Sequence, residues 1–453
     1  MEGASLDRHV ILVMHTTSYG TGGFAAACRR AGARVTIASD RCHVLDRAWH
    51  WPADSLVIDF SDPELASEAV ARAAAGASPP VRAVLPAGGE LPARVAAGAA
   101  RRLGLAANGP TAMMAAANKL EMRRRLAEAA ARAPEIRQPR FVAVDRSLDP
   151  ARAAARVAAP GGPGFPCVVK PLMLSGSRGV MRADDPAALA SALARLGRLL
   201  DEPAVRRVDP EAAGQILIEA FVPGPEVAVE GLLTRGALDV LALFDKPDPL
   251  DGPFFEETLY VTPSRLPAEA QQRIQRATAA AARGLGLETG AIHAELRLGG
   301  AGGPSVVEVA ARPIGGLCAR TLRFEGGLAL EDVVVRHALG EEARPARAGR
   351  ASGVMMIPIP TAVPAALRSV DGVDDARAVP GVDEVVISAR IGETLVPLPE
   401  GASYLGFIFA FGDDPPSVEA SLRAAHARLR FGCAPLMPVA RGQSVRESSE
   451  NRR

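Results

Sequence analysis

Lysine is nearly missing from this chain. Of 52 basic residues, lysine stands only at Lys119, Lys170 and Lys246, and arginine serves everywhere else. Aromatic residues are scarce, at 4%. There is no basic block and no interleaving of basic with aromatic residues, and the formal net charge is +1. That argues against nucleic acid as a partner. The five cysteines (Cys28, Cys42, Cys167, Cys318 and Cys433) are scattered and form no Cys-x-x-Cys pair. This speaks against a disulfide framework or a structural zinc site and for reduced thiols in a cytoplasm. The apolar run from Val10 to Met14 is far too short to span a bilayer, and its polar flank, Asp7, Arg8 and His9, does not read as a secretory leader. No Gly-Lys-Ser/Thr occurs, so any phosphate handling must be built without a Walker A loop.

What is present is an ordinary globular composition, 48% hydrophobic and 23% charged, over 453 residues. That length exceeds what one core serves, so roughly two to four domains are expected. Strand and helix signals alternate from 9 to 107: strands at 9–14, 34–38, 55–59 and 81–86, helices at 22–31, 63–75 and 91–103. Such alternation predicts a parallel sheet with crossover helices. Asn108-Gly109-Pro110 marks a boundary, and 111–131 reads as one helix capped by Thr111 and bearing Lys119. Further on come a strand at 166–170, a helix at 186–200, strands at 216–221 and 226–233, and a long helix at 267–285. The segments 291–298 and 305–310 read as an antiparallel pair. After a polar linker at 343–349, short strands and a helix to about 438 read as a small α+β unit, and 441–453 as a disordered tail.

Gly20-Thr-Gly22-Gly-Phe-Ala25 with Asp40 beyond it is a degenerate dinucleotide fingerprint. Its first glycine should follow the strand directly, yet five residues separate Met14 from Gly20. The segment therefore reads as a strand-to-helix turn beside a cleft, and a NAD-dependent oxidoreductase is a minor alternative.

Chemistry-bearing residues recur at strand ends. Val168-Val169-Lys170-Pro171 aims an ammonium from a buried strand and is followed by Ser175-Gly176-Ser177-Arg178-Gly179, a small-residue loop whose N–H and hydroxyl groups can clamp phosphate oxygens. Glu219-Ala-Phe221-Val222 and Glu226 flank the turn Pro223-Gly224-Pro225, where backbone can meet a base edge and a carboxylate can accept from ribose hydroxyls. His293-Ala-Glu295 and Glu308-Val-Ala310-Ala-Arg312-Pro-Ile-Gly315-Gly316 complete the set. Acids on strands are costly to bury unless a cation meets them, and on antiparallel neighbours Glu295 and Glu308 can face each other as hard ligands for a divalent ion. Arg312 then stands where charge on a transferring phosphoryl group could be neutralised. A buried Glu–Arg structural pair is the alternative reading of these residues.

In number, order and spacing these motifs resemble the ATP-grasp superfamily over about residues 8 to 435. Phe254-Phe-Glu-Glu-Thr, His293-x-Glu295, Arg312-Pro-Ile-Gly-Gly and Tyr404-Leu-Gly-Phe-Ile-Phe are similar to the L-amino acid ligases and related carboxylate–amine ligases. The resemblance implies an α/β and α+β chain: a Rossmann-like domain over 1–107, an ATP-grasp domain over 108–342 with a lid at about 140–222, a C-terminal α+β domain over 350–438, and a tail over 439–453. It implies that Lys119 and Lys170 hold ATP phosphates under the loop Ser175, Gly176, Ser177 and Gly179. Glu219, Phe221 and Val222 would meet adenine and Glu226 the ribose. Glu295 and Glu308 would bind Mg2+ or Mn2+, Arg312 would act at the γ-phosphate, and His293, Gly315, Gly316 and Glu90 would shape the amino acid site. Ala310 stands where the superfamily commonly has asparagine, which puts the metal count in doubt. The implied activity is a cytoplasmic ligase joining a carboxylate to an amine through an acyl phosphate and releasing ADP; homodimers are usual among such folds, and the sequence leaves the oligomeric state open. Alternatives are a biotin carboxylase-like enzyme acting on bicarbonate and a non-catalytic nucleotide-binding protein. Lys246 is placed at the edge of the substrate site.

Overall fold

Four parallel strands open the chain: β1 (Arg8–Met14), β2 (Ala33–Ser39), β3 (Asp54–Val57) and β4 (Val81–Pro86), in the order β3-β2-β1-β4. Their buried apolar runs and the helices between them give the parallel, crossover arrangement the alternation predicted. The computed structural model describes residues 7–18, 20–40, 54–299, 302–341 and 345–436. The tail at 439–453 and residues 343–344 of the expected linker lie outside the described residues.

The helix expected over 111–131 is two, Pro110–Ala117 and Lys119–Ala130. Asn118 divides them. Its backbone is extended, with φ −99 and ψ 114, and its side chain accepts from the N–H groups of Leu120 and Glu121. Asparagine suits this position because its carbonyl oxygen replaces the acceptor a helix start lacks. The break makes Lys119 the first residue of a new helix, and its own N–H is donated to Leu172 O at 3.0 Å.

A second sheet is antiparallel: β5 (Phe141–Asp145), β6 (Cys167–Pro171), β7 (Met181–Ala183) and β8 (Gln215–Ala220), ordered β5-β8-β6-β7. Helices Pro150–Ala158 and Pro186–Leu200 cover one face, burying Ala153, Val157, Leu189 and Leu196 against Val169 and Ile218.

The largest sheet has eight strands. It runs β13 (Ser305–Ala310), β12 (Gly290–Arg297), β9 (Glu226–Thr234), β10 (Ala237–Lys246), β11 (Leu259–Thr262), and then Ala351–Ile357, Gly406–Gly412 and Val382–Ile387. The segment read as a small C-terminal α+β unit thus divides its strands. Three join the central sheet, while Ala365–Asp371, Thr394–Leu395 and Arg430–Pro435 form a separate small sheet. Among the described residues no helix is long and apolar enough to cross a membrane.

Candidate active site

One face of the central sheet builds most of the site, because side chains alternate with period two and register decides which of them meet. Three adjacent rows carry the chemistry. Lys246 on β10 lies opposite Glu226 on β9, which lies opposite Arg297 on β12. In the next row Phe244, Ala228, Glu295 and Glu308 follow one another across the four strands. In the third, Ala242, Glu230, His293 and Ala310 do the same. The cross-strand pairing of Glu295 with Glu308 is the one expected of antiparallel neighbours.

Above this face lies a cavity of about 350 Å³. Its wall holds Lys119, Lys170, Ser175, Gly176 and Ser177, together with Glu219, Phe221, Val222 and Glu226. The same wall also holds Glu90, His293, Glu295, Glu308, Arg312, Gly315 and Gly316. Gly179, expected with this group, is not on the wall. It packs toward Leu196, Leu199 and Pro171, and its N–H is donated to Pro399 O at 2.7 Å.

The two phosphate-type lysines are positioned differently. Lys119 Nζ donates to Leu174 O at 2.7 Å and stands 3.6 Å from a Glu308 oxygen, an ion pair longer than a hydrogen bond. Lys170 Nζ lies 2.6 Å from Glu219 Oε2. The other oxygen of Glu219 accepts from Arg123 Nε at 2.5 Å, and Arg123 is itself anchored to the carbonyls of Val306 and Val307. Burial alone would push the Glu219 carboxyl up, but Arg123 and Lys170 more than reverse this and bring it to about 2. Glu219 therefore holds Lys170 in place with one oxygen. An ammonium has further N–H groups for a ligand.

Lys246, expected at the edge of the substrate site, is buried among three acids and is not on the cavity wall. Its ammonium donates to Glu226 at 2.6 Å, Glu257 at 2.5 Å and Glu295 at 2.9 Å, and sits 4.9 Å from the Tyr260 ring centre. Burial would depress the Lys246 pKa, and the three carboxylates raise it well above the ordinary value instead. Glu257 rises as well: burial, with the Glu295 charge, lifts it to about 7 despite Lys246. Replacing this cation leaves three acids crowded in a buried place. Lys246→Met is expected to destabilise the fold by about 3 kcal/mol, read as a lowered midpoint in urea unfolding. An unchanged midpoint would show that the ammonium does not neutralise the trio.

His293 bridges the third and second rows. Nδ1 is 3.1 Å from Glu230 Oε2 and Nε2 is 3.5 Å from Glu295 Oε1. Burial opposes its protonation, yet the two acids raise its pKa to about 9. Glu230 also accepts from Ile314 N at 3.1 Å and so pins the turn after Arg312. Arg312 in turn gives Nε and Nη2 to a single oxygen of Glu90 at 2.9 and 2.7 Å. Glu90 opens the helix after β4, so this pair ties the parallel sheet to the central one. Gly316 closes the turn at φ +61, where a Cβ would meet the Phe407 ring at 3.0 Å, so glycine is required there twice over.

Glu226, Glu257 and Glu295 have ligand atoms within 4.8 Å of one another. That spacing suits a metal, but the Lys246 ammonium already bonds to all three. On Glu295 the contacts from Lys246, Tyr260 and His293 go to Oε1, so a divalent cation would have to meet its Oε2 together with the cross-strand Glu308, which stands 3.6 Å from Lys119.

Arg123, Glu230, Glu257 and the three carboxylate partners of Lys246 were missed in the sequence. Glu230 left a signal: it lies four residues after Glu226 on an apolar strand, hence on the same face. Glu257 stood in a quoted motif without a role. Arg123 left none, being one of three consecutive arginines on a helix.

Residues 163–321 match the ATP-grasp domain, and 355–434 match the L-amino acid ligase C-terminal domain 2. The chain is 30% identical over 162 residues to alanine–anticapsin ligase of Bacillus subtilis, covering 33% of each. It is 33% identical over 153 residues to a D-alanine–D-alanine ligase of Aromatoleum aromaticum, covering 33% of this chain and 45% of that one. It thus spans less than half the length of these two curated relatives. The solved L-amino acid ligase of Bacillus licheniformis superposes with a TM-score of 0.76 at 25% identity, covering 94% of this chain and 98% of that one.

Proposed function

We propose that this chain, which belongs to the ATP-grasp superfamily, is a cytoplasmic ligase that joins a carboxylate to an amine through an acyl phosphate. One observation supports this above all. Lys119, Lys170 and Arg312 converge from three separate elements on one cavity, each held there by a carboxylate.

In this reading Lys119 and Lys170 hold the α- and β-phosphates and residues 175–177 cover them. Phe221 and Val222 border the base, and Glu226 reaches the ribose with the oxygen that Lys246 does not take. A carboxylate oxygen of the substrate attacks the γ-phosphorus, ADP leaves, and Arg312 neutralises the charge that builds on the transferring phosphoryl group. An amine then attacks the acyl carbon, loses a proton, and inorganic phosphate departs as the amide forms. Glu295 and Glu308 would hold Mg2+ or Mn2+, which supplies charge neutralisation along the phosphates when bound. Arg312 suits the carboxylate of an amino acid substrate, and the acids around His293 suit its ammonium.

ADP and phosphate should appear only when a carboxylate and an amine are both supplied, in a coupled ADP-release screen over pairs of amino acids. AMP and pyrophosphate as products would sink the mechanism. The fold is shared with biotin carboxylase from Campylobacter jejuni, at 14% identity and a TM-score of 0.62. ADP release with bicarbonate and no amino acid would favour a carboxylase instead.

A further inference from the structure

The small-residue loop at 175–179 is tied to a part of the chain more than two hundred residues away. Gly179 donates its N–H to Pro399 O at 2.7 Å, and Arg178 Nε donates to Glu400 O at 2.6 Å. The Glu400 carboxylate receives both arms of Arg195, Nε to Oε1 at 2.6 Å and Nη2 to Oε2 at 2.8 Å. Arg195 stands on the helix Pro186–Leu200, which packs on the same sheet as Lys170. A Cβ on Gly176 would come within 3.4 Å of Ala402 Cβ, so the two loops touch along their length.

The opposite side of this contact is a stiff turn. Gly401 N is donated to Pro397 O at 2.9 Å, and a Cβ on Gly401 would fall 1.7 Å from Val396 O, so no other residue fits. The next residues, Ala402, Ser403 and Tyr404, line the cavity itself.

We infer that residues 397–404 form a strap that seats the 175–179 loop over the nucleotide, with Glu400 as its positioning residue. The inference rests on the nucleotide reading above. A loop of small residues has much backbone freedom to lose when it closes over phosphates. Two backbone-directed bonds and a bidentate Arg–carboxylate pair set that conformation before the ligand arrives, which removes part of the ordering cost from binding. Glu400 touches no reacting group and acts through the loop.

The test uses the full chain and ADP as the probe. Arg195 and Glu400 are each 35% exposed, so exchanging their charges leaves the core intact. Glu400→Arg and Arg195→Glu should each weaken ADP binding about 5-fold in calorimetry, a value between that of a bidentate charged pair and that of an exposed one. Amide hydrogen exchange at Gly179 should quicken in both while the melting temperature holds. Combining the two substitutions reverses the pair and should restore affinity to within about twofold of the parent. Single variants with parental ADP affinity, or a combined variant as weak as the singles, overturn the strap. A parent chain that binds ADP yet joins no carboxylate to any amine sinks the ligase reading and leaves this test standing. A parent that binds no nucleotide overturns both.

Discussion

Arg312→Ala should lower the rate of ADP formation by roughly a thousandfold, the scale of losing a positioned cation from a phosphoryl-transfer transition state. The loss should fall on kcat, with the KM for ATP changed only a fewfold. The reason is the division of labour around the cavity. On the proposed reading Lys119 and Lys170 meet the nucleotide in its ground state, whereas Arg312, held by Glu90, would meet the γ-phosphoryl group as it transfers. An interaction made mainly in the transition state is read in kcat and not in KM. Glu90 complicates the simple deletion. Burial would raise its carboxyl, and Arg312 is the main reason it stays below the ordinary value. Removing the guanidinium strands that charge, so Arg312→Lys is the companion variant. It keeps the charge but loses the fork that gripped Glu90, and an intermediate rate is expected. If Arg312→Ala retains kcat within tenfold, the arginine is a structural tie between the two sheets and no more.

Lys170→Ala should raise the dissociation constant for ATP about a hundredfold, measured by calorimetry on the folded chain. The figure corresponds to a charge-assisted contact to phosphate of roughly 1.5–3 kcal/mol. The same variant makes a second, independent prediction through Glu219. With its carboxyl brought to about 2, Glu219 contributes on the order of 3 kcal/mol of stability above its ordinary value near 4.5, and loses it as the pH falls through 2. Lys170→Ala removes one of two cations responsible, so the folded value rises and acid unfolding should begin at a higher pH. Arg123 remains to hold the other oxygen, which is why the variant should still fold at neutral pH. ATP affinity within threefold of the parent would remove Lys170 from the phosphate site. An unshifted acid transition would show that Arg123 alone sets the Glu219 carboxyl.

These variants also separate what was legible in the sequence from what was not. The place of Lys170 was legible: it ends an apolar strand before a small-residue loop, and the structure sets it on the cavity wall. Glu295 and Glu308 were legible because two acids on apolar strands demand a cation. The parallel first sheet followed from alternating strand and helix signals. By contrast, the 111–131 run looked continuous because its helix formers outweigh a single asparagine, and the Asn118 cap only becomes decisive once Lys119 N finds Leu172 O.

The amino-acid sequence by itself determined the inventory: three lysines, the acids and the arginine, and the order in which they come. The tertiary structure alone decided the partners. Lys246 meets Glu226 through strand register, Arg123 meets Glu219 by helix placement, Arg312 meets Glu90 across two sheets, and Arg195 meets Glu400 over 205 positions. Local preference acts over a few neighbours, whereas these pairings depend on how separately formed elements pack. A cation's charge is written in its residue, but the charge it answers is fixed only when the chain has folded.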